Sequence, residues 1–188
     1  MGGPSVLVRA DAKRNRQRLI EVARRAFGAS EGKVSLEAIA REAGVGIGTL
    51  YRHFPTREAL VEALYGAERA QLCDSADELL AAAPPDRALR AWMDRFGEYF
   101  ASKREMAGVL RAMAASGAVD PDGVRAELAA AAARLLDAGA AAGTLRDDVR
   151  AEDVVAALVG TFLVCDEPGR REQAGRLLDL LMDSLRPR

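Results

Sequence analysis

Residues 35–54, SLEAIAREAGVGIGTLYRHF, read as two short helices joined by a tight glycine turn. Ser35 has the chemistry of an N-cap, since its hydroxyl can accept from an early backbone N–H, and Leu36, Ile39, Ala40 and Ala43 then recur at helical spacing as one apolar face. Gly44 follows the last periodic residue, where a chain leaving a helix commonly takes positive φ. Val45 lies inside the turn. From about Ile47 a second helix begins, and Leu50 and Phe54 point back toward Ile39 and Ala40. Ala40 and Gly44 are small where two steeply crossing helices come closest, which is the steric requirement of a helix-turn-helix.

The outer face of the second helix offers Thr49, Tyr51, Arg52 and His53, with Ile47 and the bare backbone at Gly46 and Gly48 leading in. Hydroxyls and backbone N–H groups at a helix start suit phosphate oxygens, whereas an arginine can reach a phosphate or a guanine edge in the major groove. Each residue has a plainer reading. Tyr51 and Phe54 can be core, with Phe54 the better candidate for it. Arg52 can be a solvated surface charge, and His53, the sole histidine, a phosphate donor or an exposed side chain.

Charge supports the first reading. Residues 1–60 carry 11 Lys or Arg against 6 Asp or Glu, whereas residues 61–188 carry 16 against 22, although the whole chain is only −1. Local positive charge, not a basic whole, is what phosphate neutralisation needs. The basic end is the helix-turn-helix end.

Working outward, the pattern is all-helical, with about nine helices. Residues 1–10 read as a loose arm, followed by an amphipathic helix from about Ala12 to Ala29 that carries Leu19, Ile20, Ala23 and Phe27 on one side. Thr56 caps a longer helix to about Ala81, and Pro84 and Pro85 start another that holds Leu89, Trp92, Phe96, Tyr99 and Phe100 to about Lys103. A short helix follows near 105–115, and Pro121 opens an alanine-rich one that Gly143 ends. Two more lie at about 151–165 and 170–186.

The helix at 151–165 is apolar over nearly its whole circumference, so it is either an internal core helix or one covered on its outer side by a second copy. With Leu177, Leu178, Leu181 and Leu185 forming a stripe on the next helix, a homodimer through these two helices is the preferred reading. The expected division is a DNA-binding domain at 12–71 and a helical body at 72–188.

Other classes find less support. There is no G-x-S-x-G, no P-loop and no carboxylate pair beside a histidine, and a single histidine cannot form a His-based metal cluster, so neither an enzyme nor a metal or cofactor site is expected. Cys73 and Cys165 lack metal or C-x-x-C spacing and read as buried, reduced thiols. No signal peptide is visible, and the apolar run VVAALVGTFLVC at 154–165 is too short for a span, which predicts a cytoplasmic protein without membrane association.

From about Asn15 to Tyr65, RNRQRLIEVARRAF followed by VSLEAIAREAGVGIGTLYRHFPTREALVEALY resembles the TetR family of transcriptional regulators. The family commonly has Thr where Ser35 stands, Ser where Gly46 stands and Lys where Arg57 stands. The resemblance implies that Ser35, Thr49, Tyr51 and His53 contact phosphates, that any contact at Gly46 comes from its backbone, and that Ile47 and Arg52 touch bases. Arg57 or the start of its helix would grip the DNA backbone, and Lys13, Arg14 and Arg16 can reach it as an arm.

The resemblance also implies a body that dimerises through its last two helices and binds a small-molecule effector. Trp92, Phe96, Tyr99, Met106, Leu110 and Met113 are nominated to line the site of a hydrophobic or amphipathic effector, because aromatic and thioether side chains at helix junctions suit such cavities as well as packing. The function expected is a repressor released from a near-palindromic double-stranded operator by its effector. The alternative is a helix-turn-helix protein whose body binds a protein partner or no ligand.

Overall fold

The computed structural model describes residues 4–28, 34–103, 107–117, 119–165 and 169–187. Among these residues every regular element is an α-helix: α1 Pro4–Gly28, α2 Leu36–Glu42, α3 Ile47–His53, α4 Arg57–Ala82, α5 Pro85–Ser102, α6 Ala107–Ala115, α7 Pro121–Ala141, α8 Ala151–Val164 and α9 Arg171–Ser184. The chain forms two compact units, Met1–Ala67 with Glu105–Val119, and Glu68–Arg104 with Asp120–Arg188. Helix α6 groups with the first unit.

The loose arm expected over residues 1–10 is corrected by α1, which already begins at Pro4. Proline suits a helix's first turn, where its missing N–H would have no intrahelical partner, and no glycine or second proline follows before Gly28 to stop the helix.

The first unit closes on Leu19, Ile39, Leu50 and Leu60, all fully buried, with Phe27, Phe54 and Met113 packed among them. Sequence dictates its punctuation. Ser35 Oγ accepts from the Ala38 N–H at 3.3 Å and Thr56 Oγ1 from the Ala59 N–H at 3.1 Å, which caps α2 and starts α4. Gly44 has φ +68°, and a Cβ built on it would meet nothing within 4 Å. Gly44 thus serves the left-handed turn and not a close helix crossing.

The second unit packs α5, α7, α8 and α9 with the rest of α4 around Trp92, Phe96, Leu135 and Leu158. The Trp92 indole donates to the Leu72 carbonyl at 3.0 Å, which satisfies the one polar atom that its burial brings inside. One edge of the Phe162 ring packs against Gly97 of α5, where any Cβ would stand 2.5 Å from it. That close approach stacks Phe162 against Phe96 and Phe100, with ring centroids 6.1 and 6.2 Å away. Arg90 bridges Asp94 and Asp179, so α5 is tied to α9 by a cation as well as by apolar contact.

Helix α8 does not behave as an internal core helix. Val154, Val155 and Leu158 turn inward, while Val159, Leu163 and Val164 remain 39%, 66% and 60% exposed. The leucine stripe of α9 faces its own core through Leu178 and Leu185, and the apolar residue that α9 leaves outside is Leu180. Cys165 is buried and Cys73 half-buried, and both are free thiols. Burial and the Glu127 carboxylate push the Cys73 thiol up.

Candidate nucleic-acid interface

Helix α3 is amphipathic at the scale of a single turn. Leu50 is fully buried against the first unit's core, whereas Ile47 and Tyr51 on the other side are 40% and 44% exposed. Ile47 and Tyr51 stand four residues apart, so they share one exposed face of α3. Gly46 precedes α3 in extended conformation with no side-chain cap; its carbonyl accepts from the Thr49 N–H at 2.8 Å, so only the N–H groups before Thr49 are open to an outside acceptor.

Arg52 lies back along α3. Its Nε–H donates to the Gly48 carbonyl at 3.2 Å and its Nη2 to Thr49 Oγ1 at 3.1 Å. Two residues that the sequence assigned to different DNA targets are thus bonded to each other. His53 is half-buried beside Phe54, their ring centroids 6.2 Å apart, while Phe54 itself is core. Arg16 also stands over the Phe54 ring, with Cζ 5.3 Å from its centroid. Together Arg16, His53 and Glu62 rim a cleft of about 460 Å³ floored by Ala59, Ala63 and Gly66.

Two nominated DNA contacts also make bonds within the protein. The Ser35 hydroxyl donates to Glu37 Oε2 at 2.7 Å, a bond that holds the Glu37 carboxyl below its usual range and places a negative charge where a phosphate was expected. Arg57 donates from Nη1 to the Val34 carbonyl at 2.7 Å and stacks on Phe27. Both partners are invisible to periodicity, since one is a neighbour's rotamer and the other lies 23 residues away.

The nominated effector residues are not gathered in one unit. Trp92, Phe96 and Tyr99 lie in the core of the second unit, Leu110 and Met113 pack in the first, and Met106 lies outside the described residues. In the second unit a polar cluster adjoins Tyr99. Lys103 Nζ sits 3.9 Å over its ring centroid, and Ser102 donates to Glu68 Oε2 at 2.8 Å. Burial holds the Lys103 ammonium down to about 8 and pushes the Tyr99 phenol far up.

A compact three-helix unit with an αL glycine turn and an outward second helix is the architecture of helix-turn-helix DNA-binding proteins. Comparisons with known proteins narrow this. Residues 19–64 match the family model for bacterial regulatory proteins of the tetR family, and residues 84–187 match the C-terminal domain of SbtR-like transcriptional regulators. The chain is 53% identical to the TetR transcriptional regulator SCO0520 from Streptomyces coelicolor, covering 92% of this chain and 98% of that one at a TM-score of 0.79. A TetR transcription regulatory protein from Mycobacterium vanbaalenii is 37% identical over 96% and 99% of the two chains, with a TM-score of 0.70.

An HTH-type transcriptional regulator of Staphylococcus aureus strain USA300 is 49% identical over 55 residues, a match that spans 28% of this chain and 29% of that protein. This chain belongs to the TetR family of transcriptional regulators, DNA-binding proteins and not enzymes. Among the described residues no helix is long and apolar enough to cross a membrane.

Proposed function

We propose that the protein is a repressor that binds a near-palindromic double-stranded operator as a homodimer and leaves it when a small hydrophobic or amphipathic effector occupies the body. The observation that carries the DNA half is α3, with Leu50 fixed in the core and Ile47 and Tyr51 exposed on the other side. Tyr51 and His53 take phosphates together with backbone N–H groups after Gly46, and Ile47 and Arg52 meet base edges. Arg16 joins His53 at the flank of the same surface.

The dimer half rests on Val159, Leu163, Val164 and Leu180, an outward apolar surface on the two C-terminal helices that a second copy would cover. Pairing there sets two α3 helices to enter successive major grooves about 34 Å apart. The effector half follows from linkage: a molecule that fits the body better when the heads are wrongly spaced weakens DNA binding, and DNA weakens that molecule's binding by the same factor.

Selection of duplexes from a random library by the full-length protein tests this reading. Inverted repeats with half-site centres about one helical turn apart are expected, and enrichment of no duplex would overturn it. Metabolites that raise the protein's thermal midpoint are then added to the selected duplex. A stabilising molecule should release the DNA, and stabilisers that leave DNA affinity unchanged would contradict the effector half.

A further inference from the structure

We propose that Thr49 is a positioning residue that holds Arg52 ready to read a guanine in each half-site, a role that rests on the DNA-binding reading and specifies it. An arginine on an exposed helix ordinarily samples many rotamers. Here the guanidinium is fixed at two points on its own helix, by Nε–H to the Gly48 carbonyl at 3.2 Å and by Nη2 to Thr49 Oγ1 at 3.1 Å. Gly48 leaves that flank of α3 bare, and a Cβ there would meet nothing within 4 Å.

Counting donors identifies the base. A guanidinium has five N–H donors and no acceptor. Two are bonded to α3, which leaves three among the described residues: both on Nη1 and one on Nη2. One from each nitrogen forms a parallel pair on the outer edge. Only guanine presents two acceptors, O6 and N7, on one major-groove edge, whereas adenine there offers one acceptor and one donor. The arginine therefore arrives pre-formed for guanine, and Thr49 supplies specificity without touching a base.

This differs from a direct phosphate contact by Thr49 in a measurable way. The probe is the duplex that the wild-type protein enriches from a random library, together with copies in which its guanines are replaced by 7-deazaguanine, which lacks the N7 acceptor, one symmetry-related pair at a time so that both half-sites change together. Binding is read by fluorescence anisotropy for the wild type, Thr49→Val, Thr49→Ser, Arg52→Ala and the Thr49→Val/Arg52→Ala pair, each first checked for native helicity.

Thr49→Val is expected to weaken binding roughly tenfold, within the range seen for coupled neighbours, and Thr49→Ser to retain most of the affinity. The loss should vanish in the Arg52→Ala background and on the one 7-deazaguanine duplex that also weakens wild-type binding. A Thr49→Val loss that persists without Arg52, or is equal on every duplex, would overturn the proposal in favour of a phosphate contact. A wild-type protein that enriches no duplex would instead overturn the DNA-binding reading itself, and this role with it.

Discussion

Arg57 donates to the backbone carbonyl of Val34 at 2.7 Å, so the first residue of α4 is tied to the residue that precedes the Ser35 cap of α2. Its Cζ also lies 5.2 Å from the Phe27 ring centroid, which joins the end of α1 to the same point. The family resemblance placed this side chain on DNA, yet its guanidinium is engaged inside the protein. Removing a partly buried, charge-assisted bond and its stacking should cost about 2 kcal/mol. We expect Arg57→Ala to lose that much in urea unfolding and to bind DNA more weakly with an unchanged dependence on salt. A salt slope reduced by about one would return Arg57 to the phosphates.

Gly44 makes a sharper point about the turn. Its φ of +68° is strained for an L-residue, and the space around it is open. Alanine should therefore destabilise by about 1 kcal/mol through conformation alone, and asparagine, which tolerates this region, by less. Equal losses for Gly44→Ala and Gly44→Asn in chemical denaturation would show that something other than the left-handed backbone makes the position sensitive.

Most of the scaffold was readable because local chemistry fixed it. The caps at Ser35 and Thr56, the prolines at 85 and 121 and the glycines at 44 and 143 mark helix ends that the structure keeps. The outward nature of α3 followed from Leu50 and Phe54 alternating with polar neighbours, and the exposed side of α8 from a helix apolar all round. What was not readable depends on side chains meeting across the chain or on rotamers. Periodicity carries no trace of Arg57 reaching Val34, of Arg52 folding onto Thr49, or of Phe162 settling on Gly97. The early start of α1 was missed because Pro4 opens a helix as readily as it breaks one.

The Lys103 environment gives a pH signature. Its ammonium titrates at about 8 in the folded chain against an ordinary 10.5, with burial the main cause, Arg69 acting in the same direction and Glu68 opposing it. Below about pH 8 both states are charged and the burial cost is fully present. Between there and the ordinary lysine value the unfolded chain holds more protons, so this group's contribution to stability rises with pH. The raised Tyr99 and Cys73 groups act oppositely as pH passes their ordinary values, and comparison with Lys103→Met isolates the lysine. We expect the thermal midpoint of Lys103→Met relative to wild type to fall between about pH 7 and about pH 10. A difference that stays constant would contradict the assignment.

The outward apolar residues of α8 and α9 should hold two copies together. Leu163 and Leu180 are 66% and 64% exposed, so replacing both with glutamate should leave each copy folded while placing charge in the proposed interface. Sedimentation velocity should show a dimer for the wild type and a monomer for Leu163→Glu/Leu180→Glu, with unchanged helicity. A wild-type monomer, or a variant that still dimerises, would place the interface elsewhere.

The central claim, that α3 binds DNA by sequence, is tested most directly by fluorescence anisotropy of the full-length protein with the duplex flanking its own gene, across a salt series and beside a Tyr51→Phe/Arg52→Ala variant. We expect binding that exceeds that of a scrambled duplex, weakens steeply with salt and is lost in the variant. Binding equal to that of the scrambled duplex, followed by failure to enrich any site from genomic fragments, would contradict the account.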